Sequence, residues 1–156
     1  MLEMNEQCYL NLAGQFYVAA ELQRRHIYAV VRFFLPTEAF LVAYSLGKTK
    51  PKSIEIEVRS TKKSTWEIDR TVSIKPGQIW VFVVVPEDEG APAEFYVLNG
   101  SELLEKLGSG ADDSLKKHKE EPRKTSVKPA IVTKVTKKQV EAYKNAWGTV
   151  LKRLQP

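Results

Sequence analysis

Ile54-Glu55-Ile56-Glu57-Val58-Arg59, continued by Ser60-Thr61-Lys62-Lys63-Ser64-Thr65-Trp66, is the stretch on which the fold turns. Its first six residues alternate apolar and charged side chains, which is the period of a strand. Ile54, Ile56 and Val58 therefore share one face, and Glu55, Glu57 and Arg59 share the other. The polar, basic run that follows reads as the loop leaving this strand.

On the C-terminal side, Gln78 to Val85 is apolar on both faces, as suits the centre of a sheet, and Ala93 to Leu98 gives another strand beyond the acidic turn Pro86 to Pro92. On the N-terminal side, Ile27 to Leu35 and Phe40 to Tyr44 read as strands, with Leu46 to Pro51 as a hairpin connection. Before them, Gly14 to Arg25 reads as an amphipathic helix carrying Ala13, Phe16, Val18, Ala19 and Leu22 on its apolar side. His26, a residue that tolerates positive φ, caps its end.

Further on, Ser101 is the expected N-cap of a short helix through Leu107, ended by Gly108-Ser109-Gly110. A charged, mobile loop is expected at about 108–129, and Ala130 to Val135 is a last strand. Thr136-x-x-Gln139 is a capping box opening one closing helix, with Val140, Tyr143, Trp147, Val150, Leu151 and Leu154 on one side. The order lacks regular strand-helix alternation, so a single α/β domain over 1–156 is expected, with a central mixed sheet of four to six strands flanked by helices.

Composition bounds the function. With 43% hydrophobic residues the chain can bury an ordinary core, and no apolar run approaches the roughly 18 residues of a membrane span. The N-terminus lacks the pattern of a signal peptide, and the single Cys8 forms no internal disulfide, so a cytoplasmic protein without membrane association is expected. The net charge of +5 is concentrated in residues 101–156, which hold 13 basic and 7 acidic side chains. Such a bias permits attraction to nucleic-acid phosphates without requiring it.

Four segments, in order, resemble small bacterial and archaeal members of the PD-(D/E)xK superfamily, the restriction-endonuclease-like nucleases. Gly14-Gln15-Phe16-Tyr17-Val18-Ala19-Ala20-Glu21-Leu22-Gln23-Arg24-Arg25 is similar to the first-helix pattern Gly-Glu-x-x-Val-Ala-x-Glu-Leu-x-x-Arg. Glu57-Val58-Arg59-Ser60 and its basic sequel resemble the (Glu/Gln)-Val-Lys-Thr-Ser strand end. Ile79-Trp80-Val81-Phe82-Val83 and Glu94-Phe95-Tyr96-Val97-Leu98 resemble the next two strands, and Tyr143-Lys144-Asn145-Ala146-Trp147 the closing helix.

The resemblance implies a restriction-endonuclease-like fold and a cleft in which two acidic groups hold hydrated Mg²⁺ while a Lys stabilises the transition state. This chain departs from that pattern. Only Glu57 matches; the first-helix Glu falls on Gln15, the strand Asp on Ala39 or, slipped by one, on Glu38, and the Lys on Arg59. A slip by one reverses the face, so the two alignments exclude each other. The expectation is a degenerate nuclease with a remnant site of Glu57, Arg59 and Glu38 beside Gln15. Arg59 would pair with Glu55 or Glu57 where metal would otherwise sit, and no cofactor would be needed. Lys62, Lys63 and Trp66 are the candidate nucleic-acid contacts, with DNA as the implied partner.

Two alternatives stay open: an active Mg²⁺-dependent DNA endonuclease with Glu57 and Glu38 as metal ligands and Arg59 beside them, and a non-catalytic protein-interaction module. A homodimer or an unidentified protein partner is compatible with either. Simpler roles stand beside the functional ones: Glu55, Glu57 and Arg59 as a solvated strand face, Trp66 as core, and Tyr143 and Trp147 as core rather than ligand-binding groups. Cys8 reads as a small buried hydrophobe, and His118 as exposed, having no Cys or second His at ligand spacing.

Overall fold

The computed structural model describes residues 3–35, 38–47, 50–117 and 132–155, with backbone alone for 109–117. It opens with helix α1, Glu6–Arg24, eight residues earlier than the Gly14 start expected from sequence. Asn5 sets that start, since its side chain accepts from the Cys8 amide at 2.9 Å. The other end closes on His26, whose φ of 59° lets its amide reach Gln23 O while the Ile27 amide reaches Leu22 O. This is the paired hydrogen bonding of a Schellman stop, with a histidine where glycine is usual.

Five strands, β1 (Tyr28–Leu35), β2 (Glu38–Ser45), β3 (Lys52–Thr61), β5 (Ile79–Val84) and β6 (Glu94–Asn99), form a sheet in the order β1-β2-β3-β5-β6. Only the β3–β5 pair is parallel, so the sheet is mixed. Between β3 and β5 the chain makes a strand that sequence reading took for a loop, β4 (Thr65–Asp69). It pairs antiparallel with β7 (Val132–Thr136) as a separate two-stranded ribbon.

Each face of the main sheet has its own core. On one, α1 packs Val18 and Leu22 on Leu41, Ile56, Val58, Val81 and Val83. On the other, Trp80, Phe82, Tyr96 and Leu98 meet Trp66, Ile68 and Val135 of the ribbon and Leu103 of helix α2 (Gly100–Lys117). Each such side chain withdrawn from water contributes about 1.5–3 kcal/mol before the entropy of ordering it is subtracted. Strand β5 is buried on both faces, as its unbroken apolar run requires. Phe16, expected on the buried side of α1, is 53% exposed instead, because the face that docks is the one with Gly14, Gln15, Val18 and Leu22.

Two further expectations are corrected. Helix α2 starts two residues earlier, since Asn99 Oδ1 accepts from the Glu102 amide and Glu102 Oε2 from the Asn99 amide, a reciprocal cap that leaves Ser101 inside the helix. It also passes through Gly108-Ser109-Gly110 to Lys117, two glycines costing roughly 1 kcal/mol each against alanine being too little to stop a docked helix. Residues 118–131, which hold His118, the rest of the expected charged loop and the start of the expected last strand, lie outside the described residues.

The closing helix is broken in two. The Thr136–Gln139 capping box forms as read and opens α3 (Lys137–Val140), but a 3-10 turn (Glu141–Tyr143) follows, and α4 (Gly148–Leu154) begins anew. The reason lies in the packing: Val140 and Tyr143 serve the ribbon-side core, whereas Trp147, Val150 and Leu154 serve the α1-side core. No straight helix reaches both faces of a sheet. The chain instead rounds the β6 edge, with Asn145 at φ 54° and its amide on Phe95 O at 2.9 Å.

Candidate functional site

The β2–β3 ladder ends at Leu41–Ile56, five residues before strand β3 itself ends at Thr61. Past that pair the strands part, and a notch of about 210 Å³ opens between them, lined by Gln15, Glu38, Ala39, Glu57 and Arg59 among others. Every residue that sequence reading assigned to the remnant site thus borders one cavity. The side chain of Glu57 lies on the ribbon-side face, opposite Trp80 in the parallel ladder.

Strand alternation sets positions 38 and 39 on opposite faces of the sheet. Leu41 belongs to the α1-side core, so Glu38 and Phe40 fall on the side of Glu57 and Ala39 on the side of α1. Glu38 is exposed at the mouth, and the apolar Phe40 is the β2 residue nearest in register to Glu57. Gln15 is buried, donates from Nε2 to Ala39 O at 2.7 Å and has no partner for Oε1 among the described residues. One and two turns back, Asn11 and Gln7 continue this line of uncharged amides, Gln7 Nε2 donating to Asn11 Oδ1 at 2.9 Å.

Glu57 and Arg59 form an ion pair, Arg59 Nη2 to Glu57 Oε2 at 3.6 Å, and the guanidinium also lies over the Trp80 ring at 5.6 Å. Burial pushes the Glu57 carboxyl above its ordinary range; Arg59 opposes this and nearby Glu55 adds to it. Among the described residues, no three Asp, Glu, His or Cys side chains gather into a group that could hold a metal ion.

Arg59 and Asn11 border a second, larger groove of about 860 Å³ between the start of α1, the end of β3 and the ribbon. Its lining includes Lys62, Lys63 and Lys134, but also Glu6, Glu67 and Asp69. Lys62 is exposed and bonded to Glu6 Oε1 at 2.9 Å. Trp66, a candidate base-stacking group by sequence, is 2% exposed, and its Nε1 donates to Val83 O at 2.9 Å. Its ring packs on Phe82 and Tyr96, so the simpler core role holds for it. Trp147 is likewise core, Tyr143 is half-buried, and Cys8 borders the notch half-buried.

Sequence reading missed Asn11, which borders both cavities, and Lys134, which reaches the groove because β7 pairs with an unforeseen β4. The four-residue spacing of Gln7, Asn11 and Gln15 was a legible signal of one polar helix flank. No helix among the described residues is long and apolar enough to cross a membrane. No family model matches the chain, and neither the curated proteins nor the solved structures contain a significant match to it.

Proposed function

We propose that this chain is a restriction-endonuclease-like protein of the PD-(D/E)xK kind that binds a nucleic-acid backbone along the Arg59–Lys134 groove and has lost phosphodiester hydrolysis. The observation that carries the reading is Arg59, whose guanidinium pairs with Glu57 and lies at the junction of notch and groove. A hydrated divalent cation needs oxygen ligands and negative charge. Here the one matched carboxylate is engaged by a permanent cation, the neighbouring helix offers an amide, and Phe40 takes the β2 position on that side. The donor set does not fit Mg²⁺. The Arg59 guanidinium attracts phosphate but is a poor proton acceptor.

The groove mixes cations with carboxylates, so binding should be modest and salt-sensitive. If Lys62, Lys63 and Lys134 each neutralise one phosphate of a duplex, affinity falls about 40-fold between 50 and 200 mM salt. Fluorescence anisotropy with labelled duplex and single strands tests this, alongside plasmid cleavage in Mg²⁺ and Mn²⁺. Expected are salt-dependent binding weakened by Lys62→Ala and Lys63→Ala, and no cleavage. Metal-dependent cleavage abolished by Glu57→Ala would instead establish the active endonuclease with Glu38, Glu57 and Arg59. Absence of binding at low salt would favour the protein-interaction module, a reading that the exposed aromatic surface of α1 and β1 also supports.

A further inference from the structure

Helix α1 is apolar on two sides. One docks on the sheet; the other exposes Tyr9 at 61%, Phe16 at 53% and Tyr17 at 39%. From Gln7 to Ala20 the helix carries no charged residue, although five of those fourteen residues are exposed. A helix apolar all round is normally covered on every side. Beside it, β1 exposes Tyr28 at 47%, Phe33 at 52%, Phe34 at 79% and Leu35 at 43%.

On the α1 face of the sheet Phe33 adjoins the helix, whereas Tyr28 and Leu35 lie on the opposite face of the same edge. Gln15 Nε2 bonds Ala39 O and Gln23 Nε2 bonds Ala29 O, so this flank of α1 lies over β1 and β2, and Phe33 stands opposite Ala39 in the ladder. Leu12 and Phe16 continue the same flank outward. Of the main sheet's two edges, β6 is covered by the crossing segment, through the Tyr96–Lys144 bridge and the Asn145 amide on Phe95 O. The outer edge of β1 has no strand paired to it among the described residues. A long, aromatic, unpaired edge is a template for another strand.

We infer that two copies of this chain associate about a two-fold axis by antiparallel pairing of β1 with the partner's β1, giving a continuous ten-stranded sheet. Phe33 and, behind it, Phe16 then lie on the α1 side of the seam in both copies. The occupant is a second copy because the strand complements itself in one register. With Val31 opposite the partner's Val31, Arg32 faces the partner's Val30 and the large Phe33 faces the partner's small Ala29. Shifting the centre to Arg32 sets two guanidinium groups against each other, and shifting it further loses pairs or runs into the β1 bulge between Phe33 and Leu35. Isologous contact of this kind closes at two copies. Taking about 200 Å² for a whole aromatic side chain, the exposed groups other than Tyr17, which lies on the far flank of α1, present roughly 650 Å² per protomer, somewhat below the roughly 800 Å² per partner of a standard specific interface.

Sedimentation velocity on the full chain from about 1 to 100 µM tests the association. A dimer is expected, with Phe34→Glu and Phe16→Glu each raising its dissociation constant at least about 100-fold, since each charge enters the interface twice. Both positions are exposed, so far-UV circular dichroism should stay unchanged. In a Cys8→Ser background, oxidising a mixture of Val30→Cys and Arg32→Cys chains should give a disulfide-linked dimer. Either variant alone should not, because residues offset by two across a ladder lie too far apart for a disulfide. A monomer at 100 µM, or a dimer indifferent to both Glu substitutions, would overturn the inference; cross-linking by one variant alone would overturn the register.

Discussion

Replacing Gly14 by alanine sets two effects of opposite sign against each other. In an open helix the change stabilises by roughly 1 kcal/mol, because glycine spends more backbone entropy on ordering. Here α1 crosses β3 so closely that a Cβ at position 14 would overlap Ser60 Oγ and touch Val58 Cγ1 at 3.5 Å. Ser60 is buried on a central strand and cannot swing into solvent, so helix or strand must shift, and overpacking of this kind costs about 1–3 kcal/mol. The expected net result is destabilisation of up to about 2 kcal/mol. Gly108 supplies the control, since a Cβ there meets nothing within 4 Å, and Gly108→Ala should stabilise by up to about 1 kcal/mol.

The contact can be isolated by a second substitution. Ser60 Oγ is buried without a partner among the described residues, so Ser60→Ala alone should be neutral or slightly stabilising, and the double variant should recover at least about 1 kcal/mol of the Gly14→Ala loss. Urea unfolding followed by circular dichroism measures all four. If Gly14→Ala stabilises as much as Gly108→Ala, the close approach of α1 to β3 is wrong, and so is the placement of Gln15 at the notch one residue further on.

Three other outcomes follow from the same packing. The Glu57 carboxyl is raised by burial, so the folded protein holds its proton to higher pH than the unfolded chain, and this part of the stability is lost as pH rises from about 4.5 through the folded value. Glu57→Gln should therefore flatten the stability-pH curve in that window, and a curve parallel to the parent's would refute the assignment. Trp66→Phe removes the Nε1 bond to Val83 O and part of a buried ring, a loss of about 2 kcal/mol. Amide exchange should then quicken in β4 and β7 before β5, and uniform quickening would show that the ribbon is not a separate layer. Asn99→Ala should cost about 1 kcal/mol by uncapping α2, while Ser101→Ala should cost little; equal losses would return the cap to Ser101.

Local signals were legible wherever the chain's period matched a single environment. Ile54, Ile56 and Val58 alternate and share the α1-side core, and the unbroken run around Val81 is buried on both faces. The same rule was available for Thr65-Trp66-Glu67-Ile68-Asp69, which alternates as cleanly, but its basic approach from Lys62 and Lys63 read as a loop. Distant partners decided the rest. Val140 and Trp147 share a helical period, yet serve opposite faces of the sheet. Phe16 is as apolar as Val18 and sits outside. At the site, alternation placed Glu57 and Arg59 side by side, whereas the contact between Gln15 and Ala39 depends on how α1 lies across the sheet, which no local pattern encodes.

The segment that rounds β6 bears on how the chain acquires its structure during synthesis. Strands β5 and β6 are complete by Asn99, yet the ribbon-side core needs Val135 and Val140, and the α1-side core needs Trp147, Val150 and Leu154. A nascent chain without residues 132–154 would carry both faces of its central strands partly uncovered. Helix α1 and the β1–β2 hairpin can dock early through local contacts. The two-sided closure waits until residue 154 has been added, so slow elongation through the last third of the chain lengthens the time for which Trp80 and Phe82 lack part of their cover.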